Sequence, residues 1–199
     1  MRVAPGESRP KFTGMSPFAT TAPDGVFKKL TLRDATVLVA LAWLVPFAVH
    51  LLPWGGARPL GAYLLPVFWT TFLAVYFYGV GAGLLTGLFS PAVNLLVTGL
   101  PAWKFFGVMG LELVVFVLFT AWAIRQAPRF WLFAPLGYLV AKTVSALLLS
   151  AATVVGRPDA AGYFFAHMLS GGAAGLVVLA LIHGLLVKFY PKPTVRTKV

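Results

Sequence analysis

Apolar residues in this chain come in long unbroken runs, not in strand-like alternation or narrow amphipathic stripes. The first runs from Ala35 to Leu52 and follows residues 1–30, which are polar and rich in Pro, Gly, Ser and Thr. Further runs extend from about Leu60 to Tyr78, Gly79 to Thr98, Ala102 to Ile124, Phe130 to Val155 and Gly162 to Val187. Each approaches the length of a membrane-crossing helix, about 20 residues. The pattern predicts an all-α polytopic membrane protein: six transmembrane helices in one compact bundle over residues 31–188, flanked by basic tails at 1–30 and 189–199. No separate soluble domain fits between runs. The break between the second and third runs is the slightest, only Gly79-Val80-Gly81. Thr31 and Asp34 are suited to cap the first helix, Pro46 is expected to kink it, Ser90-Pro91 interrupts the third run, and Pro66 and Pro135 lie within the second run and near the start of the fifth. The first run starts too late for a cleaved signal peptide and reads as a signal anchor.

Composition sharpens this picture. Of 199 residues, 59% are hydrophobic and 11% charged, and the mean hydropathy is +0.87. Soluble domains carry about 25% charged residues, so a soluble enzyme, a disordered chain and a nucleic-acid module are excluded. The net charge of +11 would suggest nucleic acid in a soluble protein. Here it reads as topology. Arg2, Arg9, Lys11, Lys28, Lys29 and Arg33 precede the first run or cap it, Arg125 and Arg129 follow the fourth, and Lys188, Lys192, Arg196 and Lys198 follow the sixth. Twelve of the 16 cations thus share one side, against Arg58, Lys104 and Arg157 on the other. Both termini are expected in the cytoplasm, and the protein in the cytoplasmic membrane. With no cysteine, thiolate chemistry and disulfides are out.

Small residues mark expected helix contacts. Gly79, Gly83 and Gly87 recur every four residues, and Gly171 and Gly175 do so in the sixth run. Such stripes let helices approach closely in lipid, within the bundle or against another subunit.

Ionisable groups inside the runs are the candidates for chemistry, since each is costly in hydrocarbon unless paired. Glu112 lies about ten residues into the fourth run, roughly 15 Å deep at 1.5 Å per residue, and Lys142 lies near the middle of the fifth. Antiparallel helices bring them to similar depth. A buried structural ion pair and the floor of a polar ligand cavity are both open readings. Around that level and outward lie Ser145 and Thr153, then Tyr163, His167 and Ser170 on one face of the sixth run. Asn94, Trp103 and Lys104, and Trp54 with Arg58 after the first run, belong to the same outer half. Aromatic and polar groups gathered there suit a small organic ligand with ring character, although Trp54 and Trp103 equally suit an interfacial belt. Tyr76, Tyr78 and Tyr190 read as belt residues at the inner face, and His183 has no expected role.

Enzyme signatures are missing: no Walker A loop, H-E-x-x-H, G-x-S-x-G or acidic cluster for magnesium, and no histidine pair with metal-ligand spacing. The expectation is a non-enzyme without cofactor or metal. The stretch from Leu64 to Thr120 has a Leu-Pro span, a glycine-rich span, then Asn94-Leu95-Leu96-Val97-Thr98-Gly99-Leu100-Pro101, and a span with Met109 and Glu112-Leu113. It resembles the substrate-binding S components of energy-coupling factor (ECF) transporters. That resemblance implies capture of a vitamin or related micronutrient in an outward pocket. It also implies a scaffold membrane subunit and two cytoplasmic ATPases as partners in the bilayer, and no nucleic acid. The family's pocket, carried over, selects Trp54, Arg58, Trp103, Lys104, Glu112, Lys142, Tyr163 and His167. One departure concerns docking. Many members carry an Ala-x-x-x-Ala pair in the first span, whereas Ala35, Ala40, Ala42 and Ala48 do not fall four apart. The alternatives are a lipid-processing membrane enzyme and a small proton-coupled carrier titrating at Glu112.

Overall fold

The computed structural model describes residues 26–56, 60–98, 103–152 and 160–193; within them the side chains of 50, 62, 97–98, 103–105, 149–152 and 160–171 lie outside the description. The described residues form helices and short connections: α1 (Leu32–Leu51), α2 (Leu60–Leu64), α3 (Pro66–Tyr78), α4 (Val80–Thr98), α5 (Trp103–Gln126), α6 (Phe133–Ala152) and α7 (Ala160–Phe189). Thr31 caps α1 as expected. Its hydroxyl accepts from the Asp34 N–H at 3.2 Å, and its own N–H donates to the Asp34 carboxylate at 3.3 Å. This reciprocal box satisfies two otherwise orphan amides.

Pro46 and Pro91 lie within continuous helices α1 and α4. Pro66, by contrast, breaks its run. It starts α3, and Leu65 before it takes a left-handed conformation, φ 53° and ψ 46°. A residue preceding proline is driven out of the helical region, and a non-glycine residue held left-handed carries about 1–3 kcal/mol of strain. The indole of Trp69 donates to the Leu64 carbonyl at 3.2 Å, supplying a partner at the break. The slight boundary after Tyr78 is a real one. Gly79 has φ 83°, where a side chain is strained, and its Cα faces the Phe27 ring at 3.2 Å from where a Cβ would stand.

Helix α3 is the post of the bundle. It contacts α1, α4, α5, α6 and α7, while α1, α4, α5, α6, α7 and α2 contact one another in sequence around it, α2 closing back on α1. Accordingly Phe72, Ala74, Val75 and Tyr76 have no exposed surface. Their core partners are Leu113, Phe116, Val117 and Ile124 of α5, Tyr138 of α6, and Leu179 of α7. The glycines fit this layout. A Cβ on Gly83 would collide with Val75 of α3 and lie 3.1 Å from Val117 of α5. One on Gly87 would meet Thr71 at 3.0 Å, and one on Gly175 would collide with Leu65. These glycines face neighbours inside the bundle. Gly79 stands in the break instead of on the helical face, and the surroundings of Gly171 lie outside the described residues.

Among the described residues, three helices are long and apolar enough to cross a membrane: Leu32–Val49, Phe106–Gln126 and Gly172–Phe189. Pro66–Tyr78, Val80–Leu96 and Phe133–Leu148 are apolar but shorter. The protein is therefore an all-helical membrane protein by length and composition of its helices. Its outer surface agrees, since Leu44, Phe47, Leu118, Trp122, Leu147, Leu181 and Leu185 are exposed.

One end of the molecule is basic. The Lys28 N–H donates to the Phe77 carbonyl at 2.8 Å, at the end of α3. The Lys192 ammonium donates to the Val26 carbonyl at 2.6 Å and lies 5.2 Å from the Phe27 ring centre. Arg125, at the end of α5, approaches the same ring at 5.3 Å. The segments before α1 and after α7 are thus tied together against α3 and α5. Tyr76, expected at the interface, is instead fully buried here, its hydroxyl donating to the Tyr190 carbonyl at 2.8 Å. The central place of α3 makes the difference.

Candidate functional site

Glu112 is the tenth residue of α5 and Lys142 the tenth of α6. The two helices form an antiparallel hairpin joined at 127–132, so a group projecting from the middle of one meets the middle of the other. The Lys142 ammonium donates to both Glu112 carboxylate oxygens, at 2.7 and 2.9 Å. Ser145, one turn beyond Lys142, donates its hydroxyl to Glu112 Oε1 at 2.9 Å. Glu112 accepts three hydrogen bonds and is nearly sealed, with 4% of its side chain exposed against 22% for Lys142. That asymmetry matters chemically. The carboxylate is the more desolvated partner, and the lysine side chain the more exposed one.

Toward the basic end the pair is closed by aromatic rings. Phe116 follows Glu112 by one turn and Tyr138 precedes Lys142 by one turn. Phe68 of α3 wedges edge-on between them, at 5.3 Å from Phe116 and 4.9 Å from Tyr138, with interplanar angles of 87° and 83°. The Lys142 ammonium lies 5.7 Å from the Tyr138 ring centre. Edge-to-face rings of this kind form a dry plug. Sequence reading missed Phe68, Phe116 and Tyr138 as parts of the site, because aromatic residues in a uniformly apolar helix carry no mark of which way they face.

Of the remaining expected residues, the backbones of Asn94, Tyr163 and His167 lie on the opposite side of the plug. Gly87 of α4 is level with Leu113, next to Glu112, so Asn94 stands about 10 Å further along α4, at 1.5 Å per residue. Asn94 is half-buried there. Gly172 of α7 is level with Tyr138. The backbone of His167 is therefore about 8 Å further along, and that of Tyr163 about 13 Å, at and beyond the level of Lys142. The side chains of Tyr163, His167, Trp103 and Lys104 lie outside the described residues, and so does Arg58. Trp54 is half-exposed and pairs with Tyr63, ring centres 5.9 Å apart. The structure therefore brings Glu112, Lys142 and Ser145 together, and sets the backbones of Asn94, His167 and Tyr163 at or beyond their level toward one end of the bundle.

A second polar group sits on the other side of the plug. His183 is fully buried, and its Nδ1 accepts the Ala134 N–H at 3.3 Å. Its ring packs at 4.7 Å from Phe72 and 6.0 Å from Tyr76, leaving Nε2 without a partner. It serves the start of α6, a role sequence reading did not assign. Among the described residues no group of three metal-ligating side chains occurs.

No family model, curated protein or solved structure matches this chain. The site therefore stands on its own geometry. It is a hydrogen-bonded carboxylate–ammonium pair held between two apolar helices, capped by a serine and closed on one side by aromatic rings.

Proposed function

We propose that the protein is a membrane-embedded binding subunit that holds a small polar, ring-bearing micronutrient in the half of the bundle beyond the Glu112–Lys142 pair, in the manner of an ECF transporter S component. In this reading the chain is a six-span bundle with its basic end in the cytoplasm and the cavity opening outward. A scaffold subunit and two ATPases supply the energy for uptake, since the chain offers no nucleotide-binding loop of its own. The observation that carries the reading is the pair itself. Two opposite charges at mid-bundle are expensive, and apolar side chains of similar size would be as stable or more so. Retention of the charges, with Lys142 the more accessible, suits a cation presented to an anionic or carbonyl group of a ligand. The plug of Phe68, Phe116 and Tyr138 directs access away from the basic end, toward the levels where Asn94, Tyr163 and His167 lie.

The test is native mass spectrometry of the purified protein, followed by binding measurements with a panel of water-soluble vitamins and their precursors. A stoichiometric ligand is expected without ATP, lost in Glu112→Gln and in Lys142→Met. A folded protein that carries no ligand and binds nothing in the panel overturns the reading. Transport in liposomes without any ATPase, abolished by collapsing the proton gradient, would replace it with a proton-coupled carrier.

A further inference from the structure

A hollow of about 250 Å³ lies at the basic end, where the segment before α1 meets the segment after α7. Lys28 lines it from the first segment and Lys192 from the second. Its other walls are apolar and aromatic, with Phe27, Phe77 and Tyr190 among them, and among the described residues no carboxylate reaches it. Backbone contacts brace it. The Lys28 N–H is tied to the Phe77 carbonyl at 2.8 Å, and the Tyr76 hydroxyl holds the Tyr190 carbonyl at 2.8 Å. Both ammoniums approach one ring, Lys28 at 5.4 Å and Lys192 at 6.0 Å from the centre of Phe77.

Lys192 is short of acceptors. An ammonium carries three N–H donors. Among the described residues one oxygen, the Val26 carbonyl at 2.6 Å, accepts from it. The Tyr76 and Phe27 rings, at 5.0 and 5.2 Å, attract its charge through their faces. A half-buried charge is costly until it is paired. The described carboxylates are engaged elsewhere, Glu112 with Lys142 and Asp34 with Thr31. Burial and, after it, the Lys28 charge push the Lys192 ammonium down. Two like charges thus face one space with no described counter-charge between them.

The group that relieves this arrangement is an anion with several acceptor oxygens and more than one charge. A terminal phosphate carries nearly two negative charges at pH 7 and three acceptor oxygens, and lysine binds phosphate as a point charge. A single carboxylate matches one of the two cations. We propose that the hollow between Lys28 and Lys192 binds one terminal phosphate group, which accepts hydrogen bonds from both ammoniums. A soluble phosphate and the headgroup of phosphatidic acid share that chemistry. The proposal is independent of the ligand site at Glu112 and Lys142.

The experiment is equilibrium dialysis of radiolabelled inorganic phosphate against the purified full chain, in a neutral detergent at pH 7 and fixed ionic strength. Saturable binding of one phosphate per chain is expected. Lys28→Gln and Lys192→Gln should each weaken it at least fivefold. Lys29→Gln, an exposed cation next in sequence that does not line the hollow, should leave it unchanged. Lys28 is exposed, so its variant keeps the test decisive if Lys192→Gln, which loses the tie to Val26, does not fold. Competition assigns the source. Displacement of the label by phosphatidic acid in the micelles supports a headgroup site, and displacement by phenyl phosphate but not by phosphatidic acid supports a soluble ligand. Absence of saturable phosphate binding by the folded native protein overturns the proposal. An equal fall in Lys29→Gln also overturns it, as the effect would then be diffuse surface charge. Displacement by acetate as effective as that by phenyl phosphate overturns it too, since one carboxylate would then suffice.

Discussion

At the scale of single residues, the ion pair makes the sharpest predictions, because its partners differ in exposure. Removing the ammonium in Lys142→Met strands a carboxylate that is 4% exposed, and breaking a buried pair in this way costs about 3 kcal/mol or more. Removing the carboxylate in Glu112→Gln leaves an ammonium with 22% of its side chain exposed, which retains some access to polar surroundings. Thermal unfolding in detergent should therefore rank Lys142→Met below Glu112→Gln, with the double variant above Lys142→Met. If the two single variants fall equally and their losses add, the pair is not coupled. His183→Phe tests a different bond. It matches the aromatic surroundings but leaves the buried Ala134 N–H unpaired, a loss of about 1–3 kcal/mol, and the same unfolding assay reads it.

At the scale of elements, two glycines two positions apart, on opposite faces of α4, separate propensity from packing. Gly81 has nothing within 4 Å of where a Cβ would stand, whereas Gly83 faces Val75 and Val117. Gly81→Ala should stabilise α4 by up to about 1 kcal/mol through helix propensity. Gly83→Ala should destabilise by about 1–3 kcal/mol through overpacking. Opposite signs in the unfolding midpoint are expected; equal signs would mean α3, α4 and α5 do not meet as described. Much of this layer was legible in the chain. Apolar runs located the helices, Thr31 and Asp34 announced the start of α1, and Pro66 and Gly79 sat where the backbone departs from helix. What the runs could not reveal was which helix lies at the centre. Helix α3 is apolar on all sides, so its periodicity carries no face. Tyr76 therefore read as an interfacial residue, and the places of Phe68 and His183 were invisible. Glu112 and Lys142 stood out because charge is rare there, although equal depth alone did not establish that they touch.

At the scale of the whole molecule, the basic end ties the chain together and should make stability depend on pH. Burial, and secondarily the nearby Lys28 charge, push the Lys192 ammonium down to about 8 from an ordinary 10.5. Between those values the unfolded chain binds more protons than the folded one, so stability rises with pH across this window. Below about pH 8 the ammonium is charged in both states and the folded protein bears its burial. The unfolding midpoint of the native protein relative to Lys192→Gln should therefore improve from pH 7 to pH 9.5, and a flat difference would mean Lys192 is solvated. The same contact bears on how the protein is made. Lys192 and Val26 are separated by 166 positions, and Tyr76 finds its acceptor only at Tyr190. A ribosome delivers α1 and α3 long before either partner exists. The central post must therefore wait in the membrane with its basic end unfastened, and the fastening can form only after α7 has been made. Emergence of the segment after α7 and closure of the bundle thus meet at one lysine.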